Sequence, residues 1–202
     1  MPFVLFVVVL AFVIAVSVCN GRFCMRYLEF HTSVQSTSVD HDVYDAILAD
    51  FINDEEFNAK LHGSNVSHLV LYTKSKSWIN KSFIHNYAID TGAVIPLEVR
   101  DSLVIRNPKA KMIELISYHP KSVQVLLRSS GNYSNDFDRN SDAFACVVPT
   151  LPGYSWDGRN AVCFLSNELG DHPDIVCYTL RKTKTGWNTV SHYRYIYTAR
   201  KY

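Results

Sequence analysis

The side chains of this chain that could do covalent, acid–base or metal chemistry are five cysteines, eight histidines and nineteen carboxylates. Cys19 lies at the end of an apolar leader. Without it, Cys24, Cys146, Cys163 and Cys177 remain, and four cysteines allow three pairings. One pairing has support from spacing. Residues 160–166 and 174–181 both read as strands, and a hairpin folded about Gly170 sets residue 163 opposite residue 177. That placement falls within the ~4.4–6.8 Å Cα separation of a disulfide. Cys163–Cys177 is therefore the candidate bridge, and the alternative is a pair of buried thiols packing as small hydrophobes. A thiolate nucleophile would need a base, and Cys146 with His192 is a pair that folding could bring together. An oxidising compartment disfavours a free catalytic thiol there.

The histidines are scattered from His31 to His192, and no His-Glu-x-x-His or Cys-x-x-Cys pair supplies zinc spacing. Asp136, Asp138, Asn140 and Asp142 set oxygen atoms at alternate positions, as the start of a calcium loop does. However, Ser141 stands where an EF-hand needs Gly, and Val147 where it needs a bidentate Glu. The segment reads as a solvated polar loop. The sequence has no Gly-x-Ser-x-Gly elbow, no Ser-x-x-Lys pair and no Gly-rich phosphate loop. No catalytic residue, metal or cofactor is assigned. The candidate binding residues are Trp187, Tyr193, Tyr195 and Tyr197, which alternation places on one face of the last strand with Thr189 and Ser191. Such a face can stack a sugar or a peptide. The alternative is that it packs beneath the helix carrying Val43, Ile47 and Phe51. Three Asn-X-Ser sequons make Asn65, Asn80 and Asn132 candidate glycosylation sites.

The elements that must position these residues follow from periodicity. Val43, Tyr44, Ile47, Leu48, Phe51 and Ile52 recur at spacings of three and four, which predicts a helix capped by Asp40 or Asp42. Residues 68–73 read as a buried strand, and Pro96 opens a helix that runs to about Asn107. Residues 122–127 form a further strand. Three final strands, 160–166, 174–181 and 187–197, make an antiparallel meander. The expected class is α+β: one or two helices packed on a largely antiparallel sheet ending in a three-stranded meander.

The first 21 residues carry no charge, and Phe3 to Val16 is an unbroken apolar run. It falls short of the ~20 residues that span a bilayer comfortably, so residues 1–21 are expected to be a cleaved signal peptide. The alternative is a short anchor, because Arg22 and Arg26 follow the run and would hold its far side in the cytosol. Residues 22–40 read as a flexible lead-in and 41–202 as a single α+β domain. The expected location is secreted or cell-envelope, with membrane contact only through an uncleaved N-terminal segment. A balance of 20 Lys+Arg against 19 Asp+Glu gives no basic excess, so no nucleic-acid partner is expected. The 48% hydrophobic and 13% aromatic content is enough for a packed core and excludes a disordered chain.

The stretch from Pro152 through Trp156-Asp157-Gly158-Arg159-Asn160 to Cys163-Phe164 is followed by Tyr178-Thr179-Leu180-Arg181-Lys182 and Gly186-Trp187-Asn188. This block resembles the C-terminal part of a family of uncharacterised exported proteins with an R-V-G-F-N, A-L-V-Y-V and Y-x-L-x-K-x-x-G-W pattern. Tyr44-Asp45-Ala46-Ile47-Leu48 and Leu69-Val70-Leu71-Tyr72-Thr73 are similar to that family's first helix and strand. Leu151-Pro152 stands here for Arg-Val, Gly153-Tyr154-Ser155 for Gly-Phe-Asn, and the gap from Lys182 to Gly186 is one residue longer. The resemblance implies a fold and export but no reaction. The expected function is a non-catalytic binding or structural domain, and the alternative is a small secreted hydrolase whose site only the fold assembles.

Overall fold

Spacings of three and four put Val43, Tyr44, Ile47, Leu48, Phe51 and Ile52 on one side of helix α1 (Ser38–Asn53), and all six are buried. The computed structural model describes residues 38–54, 68–75, 77, 79–113, 124–128, 143–168 and 174–196. Two further helices are described, α2 (Lys81–Thr91) and α3 (Leu97–Arg106). The strands are β1 (His68–Tyr72), β2 (Gln124–Arg128), β3 (Ala143–Pro149), β4 (Gly153–Tyr154), β5 (Asn160–Asn167), β6 (Asp174–Thr183) and β7 (Gly186–Ile196). They form one sheet in the order β2-β1-β3-β5-β6-β7, with β4 paired to β5.

The fold is α+β and its sheet is largely antiparallel, ending in the β5–β6–β7 meander. Among the described strands, the parallel pairs are β1 with β2 and β1 with β3. The helix α1 packs on one face, against Ala145, Cys163, Val176, Tyr178 and Trp187. On the other face, Ile84 and Tyr87 of α2 and Val99 and Leu103 of α3 meet Val162, Phe164, Ile175 and Cys177. Burial on both faces explains why β3 does not alternate: Ala145 and Val147 join one core, and Cys146 and Val148 another. The helix α2 buries only Ile84 and Tyr87, too few to set a helical period, and its signals are its ends. At one end Asn80 Oδ1 accepts the Phe83 N–H (2.8 Å), and at the other Gly92 takes the C-cap.

Between β3 and β4 the chain leaves the regular ladder, and side chains of α3 take the place of a strand partner. Asn107 accepts the Leu151 N–H (2.8 Å) and donates to the Leu151 carbonyl (2.9 Å). Arg106 donates to the Pro152 carbonyl (2.5 Å), and Ser102 Oγ accepts the Tyr154 N–H (3.0 Å). Buried backbone groups require such partners. The approach is so close that a Cβ on Gly153 would lie 2.5 Å from Leu103 Cγ and 2.6 Å from the Val99 carbonyl oxygen.

Reaching past Pro152, Arg106 meets Asp40 of α1. Its Nη1 and Nη2 donate to Asp40 Oδ1 (3.0 Å) and Oδ2 (2.8 Å), and Tyr154 donates to Oδ1 (2.5 Å). All three residues are buried. Burial opposes the Arg106 charge, but the forked pairing with Asp40 outweighs it and holds the guanidinium above its ordinary value. The helix α1 begins at Ser38, so Asp40 lies inside its first turn and does not cap it as the sequence suggested, while residues 22–37 of the expected lead-in lie outside the described residues.

Candidate functional site

The aromatic stripe of the last strand does not stay on one face. The ladder pairs Thr179 with Ser191 but Leu180 with Thr189, so Val190 is an extra residue, 63% exposed, in a bulge. One added residue reverses the parity of everything beyond it. Trp187 is buried on the α1 face, where its ring lies 5.8 Å from that of Tyr154. Tyr193 and Tyr195 pack on the opposite face beside Tyr87, Phe164 and Cys177. The candidate residues therefore do not share one face: Trp187 packs with Val43, Ile47 and Phe51, as the packing alternative has it, while Tyr193 and Tyr195 lie on the other side of the sheet. Tyr197 lies outside the described residues. The Tyr87 hydroxyl reaches into the β6–β7 ladder, accepting the Cys177 N–H (3.1 Å) and facing the carbonyls of Ile175 (3.3 Å) and Tyr193.

The candidate disulfide is corrected by the same kind of register detail. Cys163 pairs with Tyr178, and Cys177 with Phe164. A one-residue offset from the expected register sends the two thiols to opposite faces of the sheet, and both are free. Burial pushes the Cys163 thiol up to about 12 and raises Cys177 well above its ordinary value. Cys146 and His192 do not meet. Strands β5 and β6 separate them, roughly 14 Å at ~4.7 Å per strand, and they point to opposite faces. His192 instead sits beside Tyr178, with Nδ1 3.3 Å from Asp50 Oδ2 at the end of α1. Arg194 joins Asp54 (3.5 Å) to Asp174 (3.4 Å) nearby. Among the described residues no group of three or more His, Cys, Asp and Glu side chains could hold a metal ion. Asn80 is exposed and its amide oxygen caps α2, leaving a glycan to join the other atom of that amide. Asn65, Asn132 and the 136–142 loop lie outside the described residues.

What the sheet does assemble is a cationic groove at the tip of two hairpins. Pairing of Asn160 with Arg181 brings Arg159 beside Lys182, whose N–H donates to the Arg159 carbonyl (2.7 Å). The groove, about 650 Å³, is lined by Arg159, Arg181, Lys182 and Lys184 together with Asp157 and Asn160. All four cations are exposed. Lys182 also stands 5.7 Å over the Trp187 ring, so that buried indole supports the groove from beneath.

One wall of the groove is a stiff turn. Gly158 N–H donates to the Ser155 carbonyl (2.9 Å), and Gly158 itself adopts φ 65°, a left-handed conformation that favours glycine. Ser155 Oγ donates to Asp157 Oδ1 (2.6 Å) and accepts the Asn160 N–H (2.9 Å). The Ser155 bond foremost, with the Arg159 N–H that donates to Asp157 Oδ1 (3.0 Å), holds the Asp157 carboxyl below its ordinary value against the opposing effect of burial. At the tip, Trp156 is 55% exposed. A second cavity of about 400 Å³ runs along Trp156 between Glu98 and the shared residues Asp157 and Asn160. Sequence reasoning missed this site because Arg159 stands about twenty residues from Arg181, Lys182 and Lys184 and the net charge of +1 hides the cluster. The usable signal was Arg181-Lys182 and Lys184 about the final turn, opposite Arg159 in the predicted hairpin. Comparison of the chain with family models, with curated proteins and with solved structures finds no match.

Proposed function

We propose that this is an exported protein whose mature part is a non-catalytic binding domain taking an anionic ligand in the groove between the β4–β5 turn and the β6–β7 hairpin. The observation that carries the reading is the convergence of Arg159, Arg181, Lys182 and Lys184 on one concave surface of a chain with otherwise balanced charge. Guanidinium pairs suit forked recognition of carboxylate, sulfate or phosphate, while the lysines add mobile point charges. The nucleophile and base that could have served a hydrolase, Cys146 and His192, stand three strand spacings apart on opposite faces of the sheet. Export rests on the uncharged apolar run Phe3 to Val16.

A titration of the full chain with sodium sulfate at low ionic strength, followed by amide resonances, tests the reading. Saturable shifts at Asn160, Arg181 and Lys182 that vanish in the double variant R159A/R181A are the expected result. Shifts scattered over the surface, or unchanged in that variant, would overturn it.

A further inference from the structure

We infer that the ligand of this groove is an acidic oligosaccharide, one that sets a sugar ring on Trp156 and its anionic substituents among Arg159, Arg181, Lys182 and Lys184. The inference rests on the anion-site reading above and adds the second cavity to it. A bare anion has no use for an indole, yet Trp156 is 55% exposed at the tip of a turn held by Ser155, Asp157 and Gly158. The C–H face of a pyranose stacks on such a ring. Sugar hydroxyls are also donors and need acceptors. The wall beside Trp156 supplies the Glu98 and Asp157 carboxylates.

The same two carboxylates argue against the other polyanion with a flat face. A nucleic-acid strand could stack a base on Trp156, but its phosphates would meet Glu98 and Asp157 as like charges. Asp157 cannot readily escape by protonation, since the Ser155 hydroxyl and the Arg159 N–H both stabilise its charged form. Sulfate or carboxylate groups on a sugar separate the two demands, placing charge over the cations and hydroxyls over the carboxylates. The adjoining volumes of about 650 and 400 Å³ fall in the size range of small-molecule sites.

Calorimetry on the full chain decides this with four probes at matched salt: a sulfated hexasaccharide, a hexauronate, inorganic polyphosphate of equal charge and a single-stranded RNA hexamer. One of the two sugars should bind at least about tenfold more tightly than polyphosphate or RNA, a gap that corresponds to one well-made set of ring and hydroxyl contacts. W156A and E98Q should each remove most of that preference. Equal affinity for polyphosphate or RNA would overturn the sugar assignment and leave an unselective anion site. A preference that survives W156A would also overturn it. Failure of every probe, together with no response to sulfate, would instead bring down the anion-site reading itself.

Discussion

Replacing Arg106 with Met is the perturbation whose cost the structure specifies most fully. Met keeps much of the aliphatic stem beside the Tyr154 ring, over which the guanidinium carbon lies 5.2 Å from the centroid. It removes two bonds to Asp40 and one to the Pro152 carbonyl. Asp40 would be left buried with Tyr154 as its remaining donor among these groups. Breaking a buried pair by removing one partner costs about 3–5 kcal/mol, because a charge stays behind without compensation. With a urea slope of about 2 kcal/mol/M, the midpoint should fall by roughly 1.5–2.5 M. The companion variants D40N and D40N/R106M complete a cycle. The double variant should be more stable than the sum of the singles by at least about 2 kcal/mol, since it holds no stranded charge. Urea unfolding followed by circular dichroism on all four proteins gives the answer. A loss below about 1 kcal/mol for R106M, or simple additivity, would refute the idea that this pair ties α1 to α3.

Adding a methyl group at Gly153 places it against the backbone of α3, which cannot move aside, so G153A should lose at least about 2 kcal/mol in the same assay. Removing Val190 should be tolerated within about 1 kcal/mol, because the partners on either side, Leu180 with Thr189 and Thr179 with Ser191, then meet in a regular ladder. A deletion variant that does not fold would show that the bulge supplies needed twist. Stability should fall as pH rises above about 9. The unfolded chain releases the Cys163 proton near its ordinary value while the folded chain holds it to about 12, so the native state binds more protons in that window. The contribution is complete below about 9 and is lost toward 12, and C163A should flatten the decline in urea midpoint. An unchanged slope in C163A would place the alkaline sensitivity elsewhere.

The parts of the fold that sequence made legible are those with a clean period or a clear stop. Helix α1 showed itself through six apolar residues on one stripe, α3 through Pro96, and the final hairpin through the tight turn at Gly186. Strand β3 was illegible because its residues are buried on both sides and carry no period, and α2 because it buries only two side chains. Register was the other gap. One residue of offset in β5–β6 separates Cys163 from Cys177, and one extra residue at Val190 separates Trp187 from Tyr193. Neither is encoded in composition or spacing, since each depends on where a ladder starts. The groove escaped for a related reason. Its cations meet only after Asn160 and Arg181 have been paired across the sheet.

The Asp40–Arg106–Tyr154 cluster also orders events in time. A chain made from its N-terminus produces α1 ahead of the sheet, but the groups that receive the Asp40 carboxylate arrive 66 and 114 residues later. Until Tyr154 has emerged, that carboxylate is better left in water, and α1 has no sheet face on which to dock. The β5–β6–β7 strands, by contrast, pair with one another over short loops, although their faces are covered only once the upstream helices pack on them. The C-terminal meander should therefore form before α1 docks, because the partners of Asp40 lie 66 and 114 residues along the chain from it. Substitutions in the meander should slow folding, and substitutions around Asp40 should chiefly speed unfolding.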